Sequence, residues 1–209
     1  MASIGLISDV HATPAPLAEA LAIFSREGVE RVFCAGDIAG YGDALADTIA
    51  LLLKSGCRSI MGNHETMYLD EIGDRAGDRA AEFFKHLPVA IDETIEGKRF
   101  YMVHAHPPDA LMGGIRLLDR NGQLDSEAVA RWAGQLEGFD RDVLVVGHTH
   151  QVFAERVGRL LVVNPGSTAF NHSCAILHLP EMTVRTYPLS GRAILRSWNW
   201  GDHVIGARP

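Results

Sequence analysis

Short apolar runs recur along the chain, and each stops abruptly at polar or glycine residues. The runs span Ile4–Ser8, Val32–Ala35, Arg58–Met61, Phe100–Val103 and Val143–Val146. Their length and their β-branched side chains are typical of buried strands rather than of helices. The pattern therefore predicts a sheet whose strands end in polar side chains.

The longer segments between the first three runs have the apolar spacing of helices. One helix is predicted after Thr13, which can cap it, and it ends at Gly28. A second is predicted to begin at Asp43 and to end at Gly56. A third is predicted at about residues 75–86, after a polar segment. The resulting β-α-β-α-β order predicts a mainly parallel sheet with right-handed crossovers.

The pattern changes near residue 89, where a hairpin is predicted. Val89–Ile95 and Lys98–His104 flank the dipeptide Glu96-Gly97, which is typical of a turn. This hairpin marks a second sheet. Further short antiparallel strands are predicted at 152–157, 160–163, 173–179 and 183–187. We therefore expect one domain over residues 1–209 with mixed α/β (α+β) character.

Residues 107–140 interrupt this order as a loop-rich insertion. Glycine-containing turns at 112–114 and 121–122 precede a predicted helix at Ser126–Leu136. Because long loops often carry function, we expect this insertion to face the substrate. Near the C-terminal end, Trp198 and Trp200 have the spacing of a strand face, and we expect them to pack back on the domain or to contact a second subunit of a homo-oligomer.

Composition narrows the classes of function. The 209 residues are 47% hydrophobic and 22% charged, as in ordinary globular proteins. The net charge of -7 argues against stable nucleic-acid binding, which requires clustered basic residues. The chain shows neither a signal peptide nor an apolar run long enough for a membrane span. Three distant cysteines in apolar surroundings indicate buried thiols in a reducing, cytoplasmic compartment: Cys34, Cys57 and Cys174.

The polar residues at the strand ends form one candidate site, because ligands gather beyond the carboxyl ends of strands in open α/β sheets. Imidazole and carboxylate donors without cysteine suit manganese, iron, zinc, cobalt or nickel. The donors are too many for one ion, and a shared carboxylate can bridge two ions roughly 3.5 to 4 Å apart. The candidates are Asp9, His11, Asp37, Asn63, His64, His104, His148 and His150. In an extended backbone, His148 and His150 would point the same way.

The motifs Asp-x-His, Gly-Asp, Gly-Asn-His-Glu, His and Gly-His-Thr-His occur in this order over residues 4 to about 168. They resemble those of the calcineurin-like metallophosphoesterase superfamily, whose small prokaryotic phosphodiesterases also match in length. The resemblance implies a two-sheet β sandwich flanked by helices (αββα). It also implies that Asp9, His11, Asp37 and His150 hold one metal ion, and that Asp37, Asn63, His104 and His148 hold the other.

By the same resemblance, Asp37 bridges the two ions and His64 is a catalytic residue that is not a ligand. His64, with Asn63, would contact the scissile phosphate and assist the leaving group. The two divalent ions, manganese first and iron, zinc, nickel or cobalt otherwise, would share a hydroxide that attacks phosphorus. Metal coordination lowers the pKa of bound water to about 7, which supplies this nucleophile at neutral pH. The ions would also leave the site net positive in an acidic protein.

The implied function is a metal-dependent phosphoesterase that acts on a small phosphoester, with a phosphodiesterase as the first choice. A phosphomonoesterase or a dinucleotide-polyphosphate hydrolase on the same site is the alternative. A third class is a non-catalytic scaffold that binds a partner protein. The scaffold predicts lost ligands or a lost catalytic histidine, whereas this chain retains both.

Several residues depart from the family's pattern or have two interpretations. Gly40 and Tyr41 stand where Ser/Thr phosphatases have an Asp-Arg pair, which argues against protein phosphatase activity. Ala12, Ala105, Pro108 and the segment 169–171 replace residues that are usual in the small relatives, so the phosphate contacts are expected to differ. Glu65 either orients His64 or is a solvated acid at a helix start. The turn at 164–167 either contacts phosphate or only shapes the rim of the site. The other histidines, His86, His106, His172, His178 and His203, are interpreted as structural.

Overall fold

The computed structural model describes residues 1–73 and 75–199. In this part of the chain, the strands are β1 (Ala2–Ile7), β2 (Arg31–Cys34), β3 (Arg58–Ser59), β4 (Ala90–Ile95), β5 (Lys98–Val103), β6 (Val143–Val145), β7 (Val152–Val157), β8 (Leu160–Pro165), β9 (Ser173–Leu179) and β10 (Thr183–Pro188). The helices are α1 (Pro14–Arg26), α2 (Leu45–Lys54), α3 (Asn63–Ile72), α4 (Arg79–Lys85) and α5 (Ser126–Gln135).

The strands form two five-stranded sheets. The first has the order β10-β9-β1-β2-β3, with β1, β2 and β3 parallel and β9 antiparallel to β1. The second has the order β4-β5-β6-β8-β7, in which β6 lies parallel to both β5 and β8. The predicted parallel start of the chain and the hairpin that opens the second sheet are confirmed. The hairpin β7-β8 joins the second sheet, whereas β9-β10 joins the first.

The two sheets pack face to face, and alternation along each strand decides what lies between them. Ile4 and Leu6 of β1 pack against Phe100 and Met102 of β5 in this inner layer. Ile7 points to the opposite face, against the helices. Gly5 shares that face, where a Cβ would lie 2.7 Å from the ring of Phe24, so glycine lets α1 pack close to the sheet.

Helices cover the outer face of each sheet and complete the predicted αββα layers. Apolar side chains of α1, α2, α3 and α4 form one cluster with the outer face of the first sheet. The insertion, including α5, covers the second sheet through Ile115, Leu117 and Trp132. Of the described helices, none combines the length and apolar character of a membrane span. Cys34 and Cys174 are buried and Cys57 is half-buried, and all three thiols are free.

The helix predictions need correction around residues 43–86. A helix begins directly at Asn63, which was expected to end the third strand, and it continues into the polar segment expected from Asp70. The helix predicted at 75–86 shortens to α4. Glu65 is the only residue of α3 that is fully buried, so apolar spacing gave no signal for this helix. The helix α2 begins at Leu45, after Asp43. Thr13 precedes α1, but its hydroxyl donates to the Val10 carbonyl instead of capping the helix.

Candidate metal centre

Three side chains that follow β1 and β6 meet at one point, here called the Asp9 cluster: Asp9, His11 and His150. The Nε2 atoms of His11 and His150 lie 3.2 Å apart, and Nε2 of His150 lies 3.3 Å from Oδ1 of Asp9. One ligand atom from each residue lies within 4.8 Å of the others, and all three residues are buried. Two imidazole nitrogens and a carboxylate oxygen thus converge on a common centre.

A second group, here called the Asn63 cluster, consists of Asn63, His104 and His148. Oδ1 of Asn63 lies 3.1 Å from Nε2 of His104 and 2.9 Å from Nδ1 of His148. His104 follows β5, His148 follows β6, and Asn63 begins α3. Three different elements therefore deliver these donors to one point.

Asp37 lies between the two clusters. Its Oδ1 is 3.3 Å from Nε2 of His104, and it accepts a hydrogen bond of 3.0 Å from the backbone N–H of His64. Ligand atoms of Asp37 also fall within 4.8 Å of those of His11 on one side and of His148 on the other. One carboxylate is therefore within reach of both clusters.

His64 lies at the mouth of this group. Its Nε2 is 4.0 Å from Oδ2 of Asp37, and its ring packs edge-on against His11 at 4.9 Å between centroids. Its side chain is 15% exposed, whereas that of His104 is 0% exposed. The geometry permits His64 either to join His11 and Asp37 as a metal ligand or to face a substrate beside them.

Five of these residues have a left-handed backbone that only glycine adopts readily. The φ angles are 50° at Asp9, 50° at His11, 53° at Asp37, 63° at His148 and 48° at His150. The prediction that an extended backbone lets His148 and His150 point the same way is therefore wrong. Instead, the two side chains enter different clusters, because the chain turns sharply between them.

Buried polar side chains hold the loops in this shape. The hydroxyl of Ser8 donates to Oδ2 of Asp9 at 2.6 Å, and the hydroxyl of Ser167 donates to the Asp9 carbonyl at 2.6 Å. Asn164 donates to the Gly147 carbonyl at 3.0 Å. Asn164 lies in β8 and Ser167 follows it, and the turn predicted at 164–167 lies instead at 168–171. Because Asn164 and Ser167 are fully buried, they shape the rim of the site through backbone contacts.

Glu65 is a structural residue of the site, a role that its position in the sequence did not indicate. Its side chain is fully buried and accepts hydrogen bonds from the backbone N–H groups of Asp37, Ala39 and Gly62 at 2.7 to 2.9 Å. Burial raises the pKa of this carboxyl to about 7. The interpretation as a solvated acid is wrong. Glu65 positions Asp37 and the first turn of α3, where a Cβ at Gly62 would clash with Oδ1 of Asp37.

The two aspartates are held in their charged form. Burial opposes the ionisation of Asp9, but the adjacent His150 outweighs burial and holds the pKa of the carboxyl well below its usual range. Asp37 is also buried, and the adjacent His104 lowers the pKa of its carboxyl in the same way. Both carboxylates are therefore available to bind a cation.

The imidazoles divide into two kinds. Burial lowers the pKa of His11 to about 4 and that of His148 to about 4, so both rings are neutral at pH 7 and carry a free lone pair. Burial also opposes a charge on His104, but the Asp37 carboxylate raises the pKa of this ring to about 9. His104 and Asp37 thus form a charged pair within the site.

Aromatic rings cover the outer side of the Asp9 cluster. Phe170 stacks on His150 with 5.3 Å between centroids, and Trp198 stacks on Phe170 at 4.5 Å. The exposed ring of Tyr41 lies 4.8 Å from His11 and 4.8 Å from His64. Trp198 thus packs back on the domain as one of the two expected alternatives, but outside any strand. Trp200 lies outside the described residues.

The donor set fits divalent transition metals. Imidazole nitrogens combine with carboxylate and amide oxygens, and no cysteine takes part. Each cluster offers at least three donors, and Asp37 lies within reach of both. A profile of the calcineurin-like phosphoesterase superfamily domain matches residues 2–181 of the chain.

The chain belongs to the calcineurin-like phosphoesterase superfamily. Among its members, the protein named phosphodiesterase MJ0936 of Methanocaldococcus jannaschii is 25% identical over 169 residues, which cover 78% of this chain and 82% of that protein. The uncharacterized protein MJ0912 of the same organism is 30% identical over 120 residues. That match covers 50% of this chain and spans only 49% of the relative.

Solved structures of this superfamily share the fold. The crystal structure of a metallophosphoesterase from Sphaerobacter thermophilus superposes with a TM-score of 0.66 at 21% identity, over 91% of this chain and 89% of that one. The chain therefore has the same fold as this metallophosphoesterase, a two-sheet sandwich flanked by helices.

Proposed function

We propose that the protein is a metal-dependent phosphodiesterase with two divalent ions. The observation that carries this proposal is the convergence of two donor clusters on either side of Asp37. Asp9, His11 and His150 would hold one ion, and Asn63, His104 and His148 the other. Manganese is the first choice of metal, with iron, zinc, nickel and cobalt as alternatives.

The protein would supply the rest of the chemistry through fixed side chains. When bound, two divalent ions provide a nucleophile at neutral pH and neutralise charge on the phosphoryl group. Asp37 would bind both ions and keep them at a fixed separation, because its carboxylate lies within reach of both clusters. Glu65 fixes the backbone of Asp37 and so would help to keep that separation without touching the substrate.

His64 would act on the substrate directly. Its side chain lies at the mouth of the site, and its backbone N–H is anchored to Oδ1 of Asp37. From that position the imidazole can donate a proton or a hydrogen bond to the oxygen of the leaving group. The exposed ring of Tyr41 beside His64 would form one wall for the group that leaves.

Diesters are the first substrate class for two reasons. The superfamily relative that this chain matches over most of its length is named a phosphodiesterase. In addition, Tyr41 and Gly40 replace the Asp-Arg pair of protein phosphatases. The net charge of -7 and the three free thiols support a small phosphoester substrate in a reducing compartment such as the cytoplasm.

A hydrolysis screen tests the proposal. The purified protein is reconstituted with each metal in turn and assayed against diesters, monoesters, cyclic nucleotides and dinucleotide polyphosphates, while elemental analysis counts the bound ions. We expect two ions per chain and the highest kcat/KM for a diester. A single ion that supports full activity would exclude the two-ion mechanism. Preference for a monoester or a polyphosphate would assign the protein to the alternative class.

A further inference from the structure

A cavity of about 510 Å³ lies between α5 and residues 106–116. This volume falls within the range of roughly 300 to 1,000 Å³ that small-molecule sites occupy. The cavity, here called the arginine pocket, is lined among others by His106, Gly114, Arg116, Arg131, Trp132 and Gln135. None of its lining residues is acidic.

The arginine pocket adjoins the Asn63 cluster. A Cβ at Gly114 would lie 2.6 Å from Cγ2 of Thr149 and 3.1 Å from Cδ2 of His148, so the backbone of Gly114 packs directly against the loop that carries His148. Gly114 also has a φ of 90°, which favours glycine. His106 follows His104 by two positions and lines the pocket. Gly114 is therefore both a lining residue of the arginine pocket and a contact of the loop that carries His148.

The arginines of this pocket differ in their partners from two arginines that lie outside the insertion. Arg99 and Arg141 pair with Asp142 and Asp92, at 3.2 Å and 2.9 Å. In the part of the chain that the structure describes, Arg116 and Arg131 form no such ion pair. Burial lowers the pKa of Arg116, and no carboxylate opposes that shift. Two guanidinium groups in one acid-free cavity are suited to bind an anion, since each offers a planar fork of donors.

The remaining lining residues suit a flat ring. Trp132 follows Arg131 on α5 and is half-buried, with its indole 5.9 Å from the ring of His106. An indole face binds planar rings by stacking, and the amide of Gln135 can hydrogen-bond their edges. The pocket thus combines anion binding with stacking, which is the chemistry that recognises a nucleotide.

Arg116 is held in place from both sides. The carbonyl of Ile115 accepts a hydrogen bond from the Thr149 hydroxyl at 3.1 Å, and the N–H of Leu117 donates to the Gln151 side chain at 2.9 Å. Thr149 and Gln151 belong to the loop that carries His148 and His150. The pocket and the metal centre are therefore built on one hydrogen-bonded frame, which keeps their separation constant.

We infer that the arginine pocket binds the distal nucleotide arm of the substrate, with Arg116 and Arg131 on a second phosphate and Trp132 against the base. This inference rests on the proposed phosphodiesterase function and names its substrate class. The reacting phosphate would lie at the metal centre, and the second phosphate would lie beyond Gly114. A substrate that lacks the second phosphate would still react but would bind more weakly.

Two matched chromogenic diesters test the inference. One is the p-nitrophenyl ester of thymidine 5′-phosphate, and the other is the same compound with an additional 3′-phosphate. Both release p-nitrophenolate, so they differ only in the second phosphate. The variants are Arg116→Gln, Arg131→Gln and the double variant, and the control is Arg120→Gln, which changes an arginine of the insertion outside the pocket. Metal content is measured in every sample.

We expect wild-type protein to have a lower KM for the diester with the 3′-phosphate. Each arginine variant should raise this KM on the order of 10-fold, the usual effect of one charged hydrogen bond. The KM for the plain diester and both kcat values should change by less than about 2-fold. Trp132→Leu should raise KM for both nucleoside diesters but not for methyl p-nitrophenyl phosphate, which has no ring besides the leaving group. Equal KM values for the two nucleoside diesters in wild-type protein would overturn the inference.

A binding measurement separates this inference from the proposed function. Calorimetry with thymidine 3′,5′-bisphosphate and metal-free protein requires no hydrolysis. Weaker binding by the double variant than by wild type and Arg120→Gln would support the pocket even if neither diester is hydrolysed. The same affinity in all three proteins would overturn the pocket, whereas hydrolysis of neither diester by metal-loaded wild type would count against the proposed function.

Discussion

The candidate metal centre and the arginine pocket adjoin at the loop that carries His148, but they are built in opposite ways. Donors of the centre are buried or half-buried and hydrogen-bond to one another, as Asn63 does to His104 and His148. Arg116 and Arg131 of the pocket are exposed, and neither forms an ion pair within the described residues. The donors of the centre therefore satisfy one another's hydrogen bonds, whereas the arginines of the pocket are suited to pair with the charges of a ligand.

This difference separates two tasks that a hydrolase has to perform. Changes in a preorganised centre affect the reaction of every substrate, because the same groups stabilise every transition state. Changes in a pocket beside it affect only the substrates that reach it. The substitutions below test that division, from the largest expected effect to the smallest.

The largest effect is expected for Asp37→Asn. An amide cannot bridge two cations as a carboxylate does, so both ions should bind weakly and kcat should fall about 10⁴-fold for every diester. Elemental analysis and steady-state kinetics measure both quantities. Asn63→Ala is the matched comparison, because it should weaken mainly one ion. Loss of a single ion in Asp37→Asn would contradict the bridging role.

A loss of roughly 10² to 10⁴ in kcat is expected for His64→Ala, with metal content unchanged, if the imidazole acts as a general acid. The loss should be smaller for a nitrophenyl ester than for an alkyl or nucleoside ester, because nitrophenolate leaves without a proton. Equal losses for both esters would instead indicate charge stabilisation on the phosphoryl group. Loss of metal would show that His64 is a ligand. The control is His86→Ala, which removes an exposed histidine directly after α4.

Glu65→Gln tests the frame around Asp37. The carboxamide can accept from only part of the backbone donors that Glu65 now satisfies, and its own N–H groups must face the rest. We expect the free energy of unfolding to fall by about 1 to 3 kcal/mol, measured by denaturant titration. Glu71→Gln, an exposed acid on the same helix, should change stability by less than about 0.5 kcal/mol. Similar values for both variants would exclude a framing role for Glu65.

The smallest effect on stability and metal content is expected for Arg116→Gln, measured in the absence of substrate. The side chain is exposed and has no ion pair to lose, so stability should shift by less than about 0.5 kcal/mol and metal content should not change. Thermal unfolding and elemental analysis check both. A large loss of stability or of metal would mean that the pocket and the metal centre are not separable.

The convergence of the candidate ligands could be predicted from the sequence because most of them follow apolar strands. Asp9 follows β1 and Asp37 follows β2, and the carboxyl ends of these adjacent parallel strands lie at the same edge of the sheet. The two sheets were readable from the change of pattern at the β4-β5 hairpin. In these cases one local signal sufficed, since the spacing of apolar side chains is set by the strand itself.

Features that depend on contacts between residues distant in sequence could not be predicted from the sequence pattern. Acidic residues are common in the first turn of a helix, so the position of Glu65 gave no sign of burial. It is buried because the loop that contains Asp37 packs on it in the folded chain. The left-handed turns at His148 and His150 depend on hydrogen bonds with Asp9 and Asn164 that no local pattern encodes. Arg116 and Arg131 are ordinary surface residues in sequence, and only the fold brings them into one cavity. Phe170 likewise meets His150 and Trp198 only in the folded chain.

The left-handed backbone at Asp9, His11, Asp37, His148 and His150 has an evolutionary consequence. Strain of this kind costs on the order of 1 kcal/mol or more at each residue, and glycine or asparagine would relieve it. Natural proteins are only marginally stable, so such replacements are favoured wherever the original side chain is not needed. These five positions are therefore where drift should first appear in any descendant that no longer uses the centre.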